Sequence, residues 1–239
     1  MNRNPRIAIV TGGSRGIGRE IVESLLVADW TVFYCSLDPD SVAHSVSILE
    51  QRFPGRVSAR PCNIGKQAEV DRFISWVETE AGRIDCLVNN AGIGLFKPVD
   101  KISGDEWRNL MRTNLDGAFY AIRAVAPLMR RQGSGWIINI ASLAGRHPIP
   151  KGAAYNASKF GLVGLSEAAM LDLRSSGVRV GTILPGSVDT EFSLPKTTVD
   201  SDWKLTPRDV ARTVMDLLEY SDRALPSIIE IRPARPPGA

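Results

Sequence analysis

Short apolar runs alternate along the chain with longer segments of helical periodicity, and the alternation predicts an α/β protein. Residues 6–10 are almost continuously apolar, as expected of a strand buried on both faces of a parallel sheet. A helical pattern through Ile21, Val22, Leu25 and Leu26 leads to a second strand at 31–35, completing one β-α-β unit. A polar helix over 41–52 precedes a third strand at 57–62. Val70, Phe73, Ile74 and Val77 fall at amphipathic spacing on a helix that stops at Gly82, and 84–88 reads as a fourth strand. Two helices, 104–114 and 116–131, meet near Asn114 and lead to a fifth strand at 136–140. The next helix carries Tyr155 and Lys159 to a stop near Gly177, and a sixth strand follows at 178–184. Thr206-Pro207-Arg208-Asp209 reads as a capped helix start, with the helix running to about Tyr220. Ile228–Ile231 supplies a last strand, and the prolines after Arg232 cannot continue it. One domain over 1–232 and a loose Pro/Arg-rich tail over 233–239 are therefore expected. The Tyr155 helix is apolar on more than one side, so it should bury a second face against another subunit, in a dimer or tetramer.

Chemistry concentrates at the strand ends. The first strand runs into Thr11-Gly12-Gly13-Ser14-Arg15-Gly16-Ile17-Gly18 and then a helix. Strand, glycine turn and helix in that order make a phosphate cradle, because glycine lets backbone N–H groups approach and a helix N-terminus favours an anion. A dinucleotide is the expected ligand. The end of the second strand bears on which one. Ser36 and Leu37 stand where an NAD site usually places a carboxylate, and Arg15 can reach a 2′-phosphate. NADP is favoured; Asp38, just beyond, keeps NAD open. Asn63 follows the third strand, placed either to read an adenine edge or to make a turn. Asn89-Asn90-Ala91-Gly92 suits close passage beside a cofactor or an ordinary strand-ending turn. Asn114 can hold a water at the helix junction or sit there for backbone reasons, and Ser142 can face the sheet edge or cap backbone.

Tyr155 and Lys159 stand one helical turn apart and share a face. A fixed cation beside a phenol lowers its pKa from about 10, and reaching neutrality takes roughly 4 kcal/mol of preference for phenolate. An irregular segment carrying Phe192, Leu194 and Trp203 reads as a lid, and with Phe96, Leu143 and Ile149 it suggests an apolar substrate pocket.

The bulk numbers remove other classes. The 239 residues suit one domain, with 44% hydrophobic and 23% charged residues and a net charge of +3. No basic cluster exceeds Arg130-Arg131, and aromatic residues are not interleaved with cations as on a nucleic-acid surface. No run approaches membrane-spanning length and no apolar leader opens the chain, so a cytoplasmic protein is expected. His44 and His147 are isolated, which speaks against a metal site, and Cys35, Cys62 and Cys86 are expected to be buried free thiols.

Glycine turn, Asn-Asn-Ala-Gly, Ser142, Tyr-x-x-x-Lys and Pro185-Gly186 occur in that order, and with them the sequence from Ile7 to Ile231 resembles the short-chain dehydrogenase/reductase family. The resemblance implies a Rossmann-type, doubly wound parallel sheet of seven strands with helices on both faces, and an NAD(P)-dependent oxidoreductase. It implies Tyr155 as proton donor or acceptor at the substrate oxygen, and Lys159 as the group that lowers its pKa and holds the nicotinamide ribose. Ser142 would bond the carbonyl and Asn114 would keep a proton-relay water. Gly12, Gly16 and Gly18 would line the pyrophosphate and Asn90 the adenosine ribose region, with Ser14, Arg15, Ile17, Ser36, Leu37, Asn63, Ile64, Ala91 and Gly92 also binding the cofactor. Val188 and Thr190 would border the carboxamide, with Pro185 and Gly186 also in the cofactor site. The implied reaction is NADPH-dependent reduction of a ketone or aldehyde, the substrate being a small molecule or a 3-oxoacyl group on an acyl carrier. An NAD-linked alcohol or hydroxysteroid-type dehydrogenase is the alternative, and a nucleotide-sensing protein without turnover a third. Asn63 stands where the family usually has aspartate, and the Ile-Arg-Pro close departs from the Asp-Gly-Gly of the acyl-carrier reductases.

Overall fold

A computed structural model describes residues 5–190 and 202–235. In order, the elements are β1 (Ile7–Thr11), α1 (Gly16–Val27), β2 (Thr31–Ser36), α2 (Pro39–Arg52), β3 (Val57–Pro61), α3 (Gln67–Ala81) and β4 (Cys86–Asn89). There follow α4 (Gly104–Met111), α5 (Gly117–Gln132), β5 (Gly135–Ile140), α6 (Ala153–Leu173), β6 (Val178–Pro185), α7 (Pro207–Glu219) and β7 (Ile228–Ile231). The strands form one parallel seven-stranded sheet in the order β3-β2-β1-β4-β5-β6-β7.

The continuous apolar runs are explained by burial on both sides. Successive side chains of a strand point to opposite faces. Ile7 and Ile9 accordingly join one core with residues of α3, α5 and α6, while Ala8 and Val10 join a second with residues of α1 and α7. Each fully buried Leu or Ile in these two layers contributes about 2 kcal/mol through area removed from water. Helices α1 and α7 pack on one face, and α3, α5 and α6 on the other.

Most boundaries fall within two residues of the sequence expectation, and the differences have local causes. Helix α2 begins at Pro39, two residues earlier than expected, because Asp38 caps it through the Ser41 backbone N–H at 3.1 Å. The two helices expected to meet at Asn114 are one unbroken run in which residues 112–116 wind as a π turn. Helix α7 starts as predicted, with Thr206 and Asp209 forming a capping box. Cys35, Cys62 and Cys86 are buried free thiols. The expected lid lies mostly outside the described residues, as do Phe192 and Leu194; Trp203 is within them. Of the tail, Pro233 lies beside Gly186, where an added Cβ would come within 2.9 Å of its ring.

The sheet is wound one way from β1 to β3 and the other from β4 to β7, so the carboxyl ends of β1 and β4 flank a crevice. Its floor is closed by side chain to backbone bonds. Asn90 Nδ2 donates to the carbonyls of Thr11 (3.0 Å) and Gly12 (3.3 Å), while Thr11 Oγ1 accepts from the N–H groups of Asn90 and Ala91. Helix α1 starts directly against this knot. A Cβ on Gly18 would lie 2.1 Å from the Gly12 carbonyl oxygen and 2.5 Å from Asn90 Nδ2. Gly18→Ala should therefore force α1 off the turn and lower unfolding free energy by about 3 kcal/mol, read from the urea midpoint. A wild-type midpoint would show that the turn tolerates what its geometry excludes.

Candidate active site

Two features of the crevice suit a dinucleotide. Arg15, at the N-cap of α1, makes no side-chain cap bond and no acidic residue stands in the first turn, so the N–H groups of that turn are open to an anion. Gly12 has φ +71°, a conformation that L residues rarely adopt, and this turns the chain tightly beneath the helix. Thr190, beyond β6, comes within 4 Å of where a Cβ on Gly16 would stand, so the far wall reaches back over the glycine turn. Val188 and its neighbours are fixed by pairing with Leu205, and the Gly186 N–H by the Ile231 carbonyl. Ile17 packs on the core beneath α1, and Ile64 lies against Gly117 of α5.

The adenosine corner is organised by β2. Ser36 Oγ accepts from the Ser14 N–H at 3.2 Å, and Leu37 projects into solvent. Asp38 caps α2 from this corner. Its carboxylate is held below its usual range by the Ser41 hydroxyl first, then by backbone N–H groups, with the nearby Arg15 guanidinium adding a smaller share. Asn63 makes a turn: its Oδ1 accepts from the Gly65 N–H at 3.0 Å and its own N–H donates to Glu69. The carboxamide oxygen that was to read an adenine edge is thus already engaged.

Ser142, Tyr155 and Lys159 come together at the carboxyl end of β5. Ser142 Oγ accepts from the Ala144 N–H at 3.1 Å, which leaves its hydrogen for Tyr155, and the two hydroxyls share a hydrogen bond. Both uses foreseen for the serine, capping and facing the edge, are realised at once. Lys159 is buried, with Nζ donating to the Ile140 carbonyl at 3.0 Å and lying 5.8 Å from the centre of the Tyr155 ring. Phe96 packs against that ring at a tilt, with centroids 5.3 Å apart.

The charges do not follow the expectation of a phenol already made acidic. Burial raises the Tyr155 pKa above its usual value, and the only opposing influence is the Ser142 hydrogen bond. Burial also pushes the Lys159 amine down to about 8, and no carboxylate among the described residues pairs with it. Lys159 is therefore still mostly cationic at neutral pH, as a buried charge awaiting a partner.

Asn114 differs from expectation in a similar way. Its Oδ1 accepts from the Ile93 N–H (2.8 Å), and Nδ2 donates to the Ile93 carbonyl (2.9 Å) and Ser158 Oγ (3.1 Å). The side-chain amide is spent on protein. Gly92 threads between the two: a Cβ on it would sit 3.3 Å from Asn114 Oδ1 and 3.8 Å from Lys159 Nζ. Sequence reasoning gave no role to Thr11, Ser158 or Asn156. Thr11 opens the glycine turn and was findable there; the other two flank Ala157 inside the Tyr-x-x-x-Lys spacing, where nothing local marks them.

Comparison with known proteins decides the family. Residues 6–199 match the short chain dehydrogenase family. The chain belongs to that family. An uncharacterised oxidoreductase of Staphylococcus saprophyticus is 32% identical over 95% of this chain and 97% of its own length. A 3-oxoacyl-[acyl-carrier-protein] reductase of Staphylococcus epidermidis is 37% identical over 78% of this chain and 76% of its own. Among solved structures, a metagenomic short-chain oxidoreductase in complex with NADP superposes with a TM-score of 0.83 at 34% identity, covering 96% of this chain and 98% of that one. An alcohol dehydrogenase from Thermococcus sibiricus complexed with 5-hydroxy-NADP gives 0.89 at 26% identity, covering 97% and 98%. This short-chain dehydrogenase is an NAD(P)-dependent oxidoreductase. Among the described residues, no helix is long and apolar enough to cross a membrane.

The depressed Lys159 pKa has a consequence for folding. Between about pH 8 and 10.5 the unfolded chain holds a proton that the folded chain has released, so stability falls as pH drops through that window and stays lower below it. The shift corresponds to roughly 3 kcal/mol at neutral pH. Lys159→Met should therefore stabilise the cofactor-free protein at pH 7 by about 1–3 kcal/mol, allowing for the lost Ile140 bond, and the gain should vanish towards pH 10.5. Urea unfolding across that range checks it; a less stable variant at pH 7 would refute the buried-cation account.

Proposed function

We propose that this protein reduces a ketone or aldehyde carbonyl to the alcohol with NADPH, Tyr155 supplying the proton. The observation that carries the reading is the Ser142–Tyr155 hydrogen bond above a buried, uncompensated Lys159. A bound nicotinamide supplies the hydride. The chain's own residues do the rest. A carbonyl oxygen seated between Ser142 and Tyr155 would take both hydroxyl hydrogens, Ser142 turning its own from Tyr155 to the oxygen as charge grows there towards an alkoxide. Tyr155 then gives up its proton, and Lys159 stabilises the phenolate left behind.

The raised Tyr155 pKa bears on direction. A phenol kept neutral by burial is ready to donate, whereas oxidation of an alcohol needs the phenolate as base. Reduction is accordingly favoured at neutral pH, and it should slow as pH rises through the Tyr155 titration. For the cofactor, the residues fit NADP: Asp38 is committed to its cap, while Arg15, Ser14 and Ser36 gather at the corner a 2′-phosphate would occupy. The proposed substrate is apolar near the carbonyl, since Phe96 keeps exposed apolar surface against Tyr155 and Ile149 does so on the loop between Ser142 and Tyr155. Free ketones, aldehydes and 3-oxoacyl thioesters are the panel to try.

A homo-oligomer in the cytoplasm completes the reading. Phe119 on α5 and Phe160 and Leu171 on α6 remain exposed on the single chain, an apolar face that a second copy would cover. Sedimentation should give a multiple of 26.0 kDa, and Phe160→Glu should lower it; a monomeric wild type would refute the oligomer.

Tyr155→Phe should lower turnover by at least about a thousandfold and leave NADPH binding, followed by fluorescence, within about twofold of wild type and tighter than NADH. Retained turnover would reject the mechanism, and tighter NADH binding would reject the cofactor preference.

A further inference from the structure

We infer that Asn156, the residue next to the proton donor, is a positioning residue that fixes the substrate-side loop 143–152 against Ser142 and Tyr155. This loop joins the two hydroxyl-bearing residues, and their mutual hydrogen bond closes it at the base. Asn156 closes it a second time from inside. Its Nδ2 donates to the carbonyls of Ala144 (2.6 Å) and His147 (3.0 Å), and its Oδ1 accepts from the Ile149 N–H (3.1 Å). All these bonds go to loop backbone, and the side chain is buried.

The loop needs such a clamp. Lys151 has φ +60°, the left-handed region that a non-glycine residue seldom adopts unless its surroundings impose it. Gly152 beside it has no room for a side chain, since a Cβ would lie 2.4 Å from Ile149 Cγ1 and 2.6 Å from Asn156 Oδ1. The turn is thus folded tightly on the Asn156 carboxamide. Only a planar group with an acceptor on one side and two donors on the other satisfies the three backbone groups it meets. Ile149 is 39% exposed on this clamped turn and offers an apolar surface on the loop that joins Ser142 to Tyr155. Asn156 therefore sets where that wall stands relative to Tyr155, and so which carbonyl substrates seat well. This role presupposes the proton transfer by Tyr155 proposed above.

Asn156→Ala and Asn156→Asp test it with the full chain, NADPH and the best ketone or aldehyde from the panel. For Asn156→Ala, the KM for the carbonyl substrate should rise about tenfold or more, kcat should fall less, and NADPH affinity should stay within about twofold. Asn156→Asp keeps the volume and the bond to Ile149, but its second oxygen faces two carbonyls and donates to one only when protonated. Its KM should therefore climb with pH through that titration, while wild type shows no such climb. The inference is overturned if both variants keep wild-type KM and pH dependence. It is equally overturned if kcat and NADPH affinity fall with the folded fraction while KM is unchanged, which would mark a role in stability alone. If wild type itself reduces no carbonyl with NADPH, the proposed reaction fails instead, and this outcome is distinguishable from either of the others.

Discussion

The structure turns on the contact between the carboxyl ends of β1 and β4, where the winding of the sheet reverses. A parallel sheet covered on both faces leaves only its edges and strand ends open, and only at the reversal do the helices diverge enough to leave a crevice. Asn90 and Thr11 tie the two strand ends together through backbone groups, so the floor of the crevice is as rigid as the sheet. That rigidity explains the glycines: helix α1 must begin within van der Waals contact of the knot, and its open N–H groups then point where a pyrophosphate would lie.

Rigidity on the cofactor side is matched by stored electrostatic cost on the other. Lys159 is carried into the interior on α6 with one carbonyl for company, and the cost appears as an amine titrating near 8. An amine on the surface would avoid the cost, but solvent would screen its field at the phenol. Tyr155 is subject to the same burial with the opposite consequence, since desolvation favours its neutral form. The two groups are thus mismatched while the proton is in place and become matched once it has left. A phenolate beside a buried ammonium satisfies both, which is the condition for lowering the barrier to proton transfer rather than merely binding the ground state.

How much of this was legible in the sequence depended on the distance over which each feature is determined. The strands and helices were readable because burial on both faces writes itself into consecutive residues, as in the run before Thr11. The pairing of Tyr155 with Lys159 was readable because one helical turn fixes it. The cap that Asp38 makes on α2 and the turn that Asn63 makes were not legible, because a carboxylate or amide at a strand end looks the same in sequence whether or not it bonds the backbone. Asn114 was located correctly, but the use of its side chain was hidden, because its partners Ile93 and Ser158 stand 21 and 44 residues away. The direction of the phenol's shift was misjudged for a related reason. Sequence shows the neighbouring cation and says nothing of desolvation, which here sets the direction against the Ser142 hydrogen bond.

Asn156 illustrates the remaining blind spot. Its partners are only 7 to 12 residues away, yet no periodicity connects them, since the intervening chain is a loop folded back on itself. The Tyr-x-x-x-Lys spacing fixes the residues whose chemistry is common to any carbonyl substrate and leaves the positions between them free. Of those positions Asn156 is turned towards the loop, while Ser158 bonds Asn114 and the Tyr155 carbonyl, so the residue at 156 constrains the loop. On the proposed mechanism, a position left free by the chemistry but bound to the shape of the loop is where the substrate can be chosen without disturbing Tyr155 beside it.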